Sequence, residues 1–297
     1  MPDTIRPDPT PPRTVLGADE RAALFAGVDR APGAAKPDPI LVVDDLCRTF
    51  GGLKAVDVAH LEIQRSCITG LIGPNGAGKS SLVNCITGFY KQQAGTVRIF
   101  GEDVTRRSPR KIAYLGVART YQNIELFEGM TVIETLMLGR HRFFTSGPIS
   151  GGIFYGKARR EELRERAKVE DLIDFLELES IRKTPVGLLP YGLRKRVDLG
   201  RALAQEPRVL ILDEPMAGMN LEEKEDMVRY ILELREMKDT TVVLIEHDMD
   251  VVMDISDRVA VLDFGQFIAS GAPEEVRTNP AVIQAYIGGS DRSEVTR

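Results

Sequence analysis

The chain has 297 residues, 43% hydrophobic and 28% charged, which suits a globular protein of one large domain or two modest ones. Its net charge of −5 disfavours a nucleic-acid-binding surface, where an excess of basic residues is expected. Since no apolar run approaches the length of a bilayer-spanning helix and no apolar segment lies near the N-terminus, we expect neither a membrane span nor a secretory signal. The three cysteines lie singly in apolar stretches and are predicted to be free thiols, and the three histidines show no zinc-ligand spacing.

The chain begins with a biased segment. Residues 1–38 are rich in Pro, Ala, Asp and Arg and have no sustained hydrophobic period, which predicts a mostly disordered extension. This extension is either a tolerated tail or a regulatory or docking segment.

Strands are predicted over 40–43 and 56–63. Between them Phe50 precedes two glycines, and it is either a core residue or an aromatic that stacks on a nucleobase.

A glycine-rich loop lies between a predicted buried strand, 67–72, and a helix that begins near Leu82. Its pattern, G-x-x-x-x-G-K-S in strand–loop–helix context, is that of a P-loop. Glycines let main-chain N–H groups approach a phosphate, and the positive end of the following helix adds to the field. We predict that Lys79 reaches the β- and γ-phosphates and that the Ser80 hydroxyl ligates Mg²⁺. The predicted nucleotide-binding residues of the loop are Gly73, Pro74, Asn75, Gly76, Ala77, Gly78, Lys79, Ser80 and Ser81.

The middle of the chain changes to a helical period. Gln122 follows a strand-like stretch and is either a surface glutamine or a group that coordinates Mg²⁺ or places a water. Thr131 is a predicted N-cap, and 131–185 is predicted to be an all-helical insert in an α/β fold. Its longest helix, 157–178, carries its charges over 159–166 on a predicted solvated face. The side chains of that helix predicted to face inward are Leu163, Ala167, Leu172, Phe175 and Leu176.

Carboxylates and a histidine follow further buried strands. A helix begins near Pro190, and its basic side chains suit either an anion or an ordinary helix start; they are Arg194, Lys195, Arg196 and Arg201. The apolar run 209–212 ends in Asp213 and Glu214, which is typical of a Walker B strand. We expect Asp213 to hold Mg²⁺ directly or through water, and Glu214 to polarise an attacking water. His247 ends the strand 240–246 and either caps a turn or contacts the γ-phosphate. A hairpin over 259–269 and a short helix over 281–287 complete the predicted fold.

In this order, these motifs resemble the nucleotide-binding subunit of ABC transporters over roughly residues 39–288. The resemblance is carried by the P-loop, the helix start 189–193, Asp213-Glu214, the segment 217–220, Gln122 and His247. Finer details are similar to the branched-chain amino acid transporter ATPases, a group with relatives for urea, short amides and aromatic acids. Those details are Tyr191-Gly192, Ala217-Gly-Met-Asn220, Ile245-Glu-His-Asp-Met249 and the ending 279–288.

The resemblance implies an α/β fold with a RecA-like P-loop NTPase core, an N-terminal antiparallel β-subdomain and an all-helical subdomain inserted at about 131–205. The ABC ATPase domain would span 39–288, with a frayed tail over 289–297. ATP and Mg²⁺ are the implied cofactors. Glu214, His247 and Gln122 would be catalytic, Phe50 would bind the base, and the metal would be held by Ser80, Gln122 and Asp213.

The resemblance also implies partners. Two ATPase subunits would face head to tail, with ATP between the P-loop of one and the signature of the other, formed by Pro190, Tyr191 and Gly192. The mate is either a second, different ATPase subunit or a copy of this chain. Closure would drive two transmembrane permease subunits at the cytoplasmic face of the plasma membrane, contacted by the helical insert and the Gln122 loop. An extracytoplasmic solute-binding protein would take part indirectly, and no nucleic acid is expected.

The signature departs from the commonest ABC pattern, Ser-Gly-Gly-Gln, because Pro190 occupies the serine position. A proline has no hydroxyl, so this composite site would lack one hydrogen bond to a charged group, ~1.5–3 kcal/mol. Since Glu214 and His247 are present, hydrolysis is still expected at the site built on this P-loop.

The alternative function is a soluble ABC ATPase acting on ribosomes or DNA. Such proteins usually carry two ATPase units or a long coiled coil, and this chain has neither. A P-loop kinase or GTPase does not account for the helical insert together with the signature.

Overall fold

The computed structural model of the chain describes residues 34–144, 157–238 and 240–292. The predicted disordered extension therefore lies outside the described residues up to position 33, as does the whole of the Gly-rich loop that the sequence predicts over 145–156, before the long helix. The last residues of the predicted extension run irregularly up to the first strand. There Lys36 donates its main-chain N–H to the Gln64 side chain, at 3.0 Å, so the chain contacts the fold before the predicted domain boundary.

The described strands form one ten-stranded sheet in the order β5-β4-β1-β2-β10-β9-β3-β8-β7-β6. Their bounds are β1 Leu41–Phe50, β2 Leu53–Ile63, β3 Ile68–Ile72, β4 Ala94–Ile99, β5 Glu102–Asp103, β6 Val117–Arg119, β7 Val209–Asp213, β8 Thr241–Ile245, β9 Arg258–Asp263 and β10 Gln266–Gly271.

The sheet has an antiparallel part and a parallel part. Strands β1, β2, β4 and β5 pair antiparallel, whereas β9, β3, β8, β7 and β6 pair parallel. Every residue of β3, β7 and β8 is buried, as expected for parallel strands covered on both faces. The predicted α/β fold with an N-terminal antiparallel region is confirmed.

Nine α-helices occur in the described residues, and three short 3₁₀ turns lie between β6 and β7. All described elements between β6 and β7 are helices or 3₁₀ turns, and the boundaries predicted for the helical insert stay a prediction. No described helix has the length and apolarity to cross a membrane. The bounds are α1 Lys79–Ile86, α2 Pro109–Tyr114, α3 Val132–Gly139, α4 Lys157–Phe175, α5 Tyr191–Leu203, α6 Leu221–Lys238, α7 Met249–Ile255, α8 Pro273–Arg277 and α9 Pro280–Arg292.

Two apolar cores lie on opposite faces of the sheet. Leu210 and Leu212 of β7 belong to one core, together with side chains of α3 and α5. Val209 and Ile211 belong to the other, together with side chains of α1. Successive strand side chains point to opposite faces, so a continuous apolar run serves both cores at once.

The inward face predicted for α4 is partly wrong. Leu163 is 58% exposed, and Ala167 is exposed as well. Glu161 and Glu165, four residues apart on one side of the helix, are buried instead. The reason is Arg140, 1% exposed, whose Nε donates to Glu165 Oε2 at 2.9 Å. A buried guanidinium needs a carboxylate, and that need overrides the apolar pattern.

The C-terminal helix is longer than predicted. The sequence predicts an end near Ile287 and a frayed tail over 289–297, but α9 continues to Arg292. Two consecutive glycines lower helix propensity by about 1 kcal/mol each without preventing a helix. The frayed tail is therefore wrong for 289–292, and the rest of it lies beyond the described residues.

Candidate nucleotide-hydrolysis site

The glycine-rich loop connects the buried β3 to α1, as predicted. Gly73 and Gly78 have φ angles of 152° and 96°. A Cβ at Gly73 would lie 2.1 Å from the Leu262 carbonyl oxygen, and one at Gly78 would lie 2.3 Å from that of Ala55. The loop thus runs between β9 and β2 at positions where only glycine fits.

Lys79, the first residue of α1, extends its side chain back over the loop. Its Nζ donates to the carbonyl oxygens of Gly73, at 2.7 Å, and Pro74, at 3.2 Å. Burial lowers the pKa of the Lys79 ammonium, while the carboxylates of Glu214 and Asp213 act in the opposite direction. The loop lysine and the two acids predicted from the Walker B pattern therefore share one electrostatic environment.

The two acids stand at the end of β7. Glu214 has a left-handed backbone, φ 49°, which is uncommon for a residue other than glycine. Its main-chain N–H donates to the Ile245 carbonyl oxygen at 2.9 Å. Its side-chain Oε2 accepts from Gln122 Nε2 at 2.8 Å. The structure thus brings together two predicted catalytic residues, Gln122 and Glu214, that are far apart in the chain.

Asp213 is held by an arginine that the sequence reasoning missed. Arg119 Nη2 donates to Asp213 Oδ2 at 2.6 Å, and its Nη1 donates to Asn84 Oδ1 of α1, also at 2.6 Å. The two charged side chains are only 8% and 5% exposed. The signal in the sequence that could have indicated Arg119 is its position as a charged residue at the end of a short apolar strand. Arg119 joins the helix after the P-loop to the Walker B carboxylate.

The oxygen ligands near these residues suit Mg²⁺. Arg119 contacts one oxygen of Asp213, and an ionised carboxylate can accept several hydrogen bonds or ligand contacts, so Asp213 retains capacity for a second partner. The side chain of Ser80 at the start of α1 is exposed, and so is that of Gln122. Mg²⁺ takes oxygen ligands and keeps several of its waters, so this set fits an ion bound largely through water and phosphate.

His247 follows β8 and is exposed, with 62% of its side chain accessible. The preceding residue, Glu246, is 2% exposed and was also missed. Its carboxylate accepts the main-chain N–H groups of Met216, at 2.9 Å, and His247, at 3.3 Å. Burial raises the pKa of Glu246, and these two hydrogen bonds oppose the shift. Glu246 therefore fixes the chain after β7 and the chain after β8 relative to each other.

Phe50 is not a core residue, since it is 39% exposed. Its ring packs edge-on against Tyr90, with 5.2 Å between centroids. The guanidinium of Arg48 lies 4.6 Å from the ring centroid of Phe50. An exposed aromatic held in place by two neighbours has the form needed to stack on a base, and that role stays a prediction.

The predicted signature forms the start of α5. Pro190 is the N-cap and makes no side-chain capping bond. A Cβ at Gly192 would lie 2.0 Å from Glu223 Oε1, so a larger residue there would require the Glu223 side chain of α6 to move. A Cβ at Gly218 would lie 3.0 Å from the Tyr191 ring. The signature thus packs against the loop after β7 and the start of α6 in its own chain.

The four basic side chains of α5 all donate hydrogen bonds to acceptors in the same chain. These contacts favour an ordinary helix start over an anion-binding site. Arg194 donates to Leu189 O at 2.8 Å, Lys195 to Gln122 O at 3.0 Å, Arg196 to Asp226 at 2.7 Å and Arg201 to Asp198 at 2.7 Å.

Comparisons with known proteins agree with these motifs. A family model described as ABC transporter matches residues 56–217, and one described as branched-chain amino acid ATP-binding cassette transporter matches residues 268–292. The chain is 40% identical over 250 residues to the high-affinity branched-chain amino acid transport ATP-binding protein BraF of Pseudomonas aeruginosa. It is equally similar to LivG of Escherichia coli K12. Each alignment covers 84% of this chain and 98% of the relative.

Solved structures give the same picture. A nucleotide-free ATP-binding cassette from an ABC transporter superposes with a TM-score of 0.72 at 32% identity, and covers 84% of this chain and 99% of the other. An ATP-binding cassette of an ABC transporter in its ADP conformation matches with the same TM-score and coverage at 33% identity.

Proposed function

Since the chain belongs to the family of ABC transporter ATP-binding proteins, whose members hydrolyse ATP to drive transport, we propose that it powers import of branched-chain amino acids or a related small polar or acidic solute. The observation that carries this proposal is the similarity to BraF and LivG, which extends over 98% of their lengths. A soluble ATPase acting on ribosomes or DNA is not favoured by these relatives.

In this proposal residues 39–288 are the ATPase domain, with the helical subdomain at about 131–205. The P-loop N–H groups and Lys79 bind the phosphates, and Phe50 stacks on the base. Ser80, Gln122 and Asp213 hold Mg²⁺, which when bound supplies neutralisation of phosphate charge. The buried Arg119–Asp213 contact, 2.6 Å long, fixes the orientation of the Asp213 carboxylate for that task.

Glu214 is the group that orients and polarises the attacking water. Its carboxylate is oriented by Gln122, with 2.8 Å between Oε2 and Nε2, and its main chain is held by β8. His247 contacts the γ-phosphate from the neighbouring strand end. The signature 190–192 faces the ATP of a second ATPase subunit, so hydrolysis needs a pair.

The chain works at the cytoplasmic face of the plasma membrane as a peripheral subunit. The helical insert and the Gln122 loop contact two transmembrane permease subunits. A solute-binding protein outside the membrane delivers the solute and contacts the permeases rather than this chain. The mate is a second ATPase subunit or a copy of this chain.

The assignment of Glu214 is tested by Glu214→Gln, which keeps the size of the side chain and removes its charge. We expect the variant to bind and retain ATP while turnover falls to background, because the attacking water is no longer polarised. ATP binding and phosphate release are measured on the same preparation. Turnover like that of the unchanged protein would remove Glu214 from this role.

The transporter function is tested by affinity purification from detergent-solubilised native membranes, with mass spectrometry of the co-purified proteins. We expect two polytopic membrane proteins, a second ATPase or only more of this chain, and an extracytoplasmic binding protein on which solutes can be screened directly. Recovery of ribosomal or other soluble proteins alone would remove the transporter function.

A further inference from the structure

Lys195 has an unusual position for a lysine. It lies within α5 and is 4% exposed. Its Nζ donates to the carbonyl oxygens of Gln122, at 3.0 Å, and Glu214, at 2.9 Å. Both acceptors are main-chain oxygens from distant parts of the chain. The helix that begins with the signature is thereby joined through one ammonium to the loop after β6 and the end of β7.

Those two carbonyls belong to the residues whose side chains bind each other, since Gln122 Nε2 donates to Glu214 Oε2 at 2.8 Å. Lys195 therefore fixes the main chain at both ends of that side-chain contact. The left-handed backbone of Glu214 has to be held by its surroundings. The described contacts that hold its main chain include the bond from Lys195 and the bond to Ile245 on β8.

Packing alone does not explain a lysine here. Burial lowers the pKa of the Lys195 ammonium, against the opposing effect of nearby carboxylates, of which Asp198 is the foremost. Burying a charged group is costly, and an apolar side chain of similar length would fill the same space without that penalty. The ammonium offers what an apolar side chain does not, three donors that can bind two carbonyl groups at once.

We propose that Lys195 is a positioning residue for ATP hydrolysis, which ties the Glu214 carboxylate and the Gln122 loop to the signature helix. This rests on the proposed roles of Glu214 and Gln122. While α5 keeps its position, the Glu214 carboxylate stays aligned with the attacking water. A displacement of α5 would move this carboxylate out of alignment. The effect acts through main-chain position, and Lys195 itself touches neither the nucleotide nor the water.

The test compares Lys195→Met, which removes both hydrogen bonds, with Lys195→Arg, which keeps donors on a long side chain. Arg196→Met is the matched control, because Arg196 lies on the same helix and binds Asp226 of α6 instead. Each full-length variant is purified with its co-purifying partners. The measurements are the nucleotide Kd, kcat and KM of ATP hydrolysis, and the thermal midpoint. Glu214→Gln is assayed in parallel.

We expect Lys195→Met to lower kcat by about 100-fold, the scale of a misplaced catalytic group, with nucleotide Kd and KM changed less than about threefold. Lys195→Arg should recover kcat to within about tenfold, and Arg196→Met should keep it. If Lys195→Met does not fold, Lys195→Gln, shorter and neutral, should show the same loss of kcat at unchanged Kd.

Two results would overturn the proposal. One is a lower thermal midpoint with kcat unchanged, which would make Lys195 structural only. The other is an equal loss in binding and turnover, which would place it in nucleotide binding. If Glu214→Gln hydrolyses ATP at the normal rate, the proposed function of Glu214 is wrong. If Glu214→Gln is inactive but Lys195→Met hydrolyses ATP at the normal rate, only the positioning role of Lys195 is wrong.

Discussion

At the scale of single residues, burial decides how much an ion pair contributes. Arg119–Asp213 and Arg98–Asp44 have the same N–O distance, 2.6 Å. The first pair is 8% and 5% exposed, and the second is 50% and 31% exposed. Removing one partner of a buried pair leaves a charge without compensation, whereas solvent compensates an exposed one.

We therefore predict that Arg119→Met lowers the free energy of unfolding by about 3–5 kcal/mol without nucleotide, and Arg98→Met by less than about 1 kcal/mol. Urea unfolding of both variants at neutral pH gives the comparison. Losses of equal size would show that the Asp213 carboxylate does not depend on Arg119 for its compensation.

At the scale of elements, the helical subdomain begins at a well-formed cap. Thr131 is the N-cap of α3, its hydroxyl accepts from the Glu134 N–H, and the Glu134 carboxylate accepts from the Thr131 N–H at 2.8 Å. Ser108 is also an N-cap, before α2, but makes no side-chain capping bond. The two caps have similar residues and different contacts, so they form a natural pair for comparison.

We predict that Thr131→Ala lowers the free energy of unfolding by about 1 kcal/mol, while Ser108→Ala changes it by less than about 0.5 kcal/mol. The measurement is chemical denaturation followed by circular dichroism. A loss at Ser108 as large as that at Thr131 would mean that the capping box adds nothing to α3.

The long helix α4 shows where a sequence pattern fails at this scale. Its period predicted Leu163 inward, and its buried side includes Glu165 because Arg140 lies against it. The pairing joins residues 25 apart in the chain, and nothing in the local pattern reports it. A buried guanidinium changes which face of a helix is favourable to bury.

At the scale of the whole molecule, the site follows from strand order. The P-loop follows β3, His247 follows β8, Glu214 follows β7 and Gln122 lies beyond β6, and these four parallel strands are neighbours in the sheet. Because the carboxyl ends of parallel strands meet at one edge, residues from 73 to 247 meet there as well. Each motif is a short segment of the sequence. The order of the strands in the sheet is what brings these segments together into one site.

The sequence by itself determined the fold class and the motif residues. The P-loop, the Asp213-Glu214 pair and the capping threonine could be predicted because their chemistry depends on close neighbours in the chain. Only the tertiary structure decided the contacts of the residues between the motifs. Arg119 reaches an acid 94 positions away, and Lys195 reaches a carbonyl 73 positions away. Such contacts depend on strand order and helix placement. A buried charge is stable only beside a compensating partner, and it is the tertiary fold that places this partner.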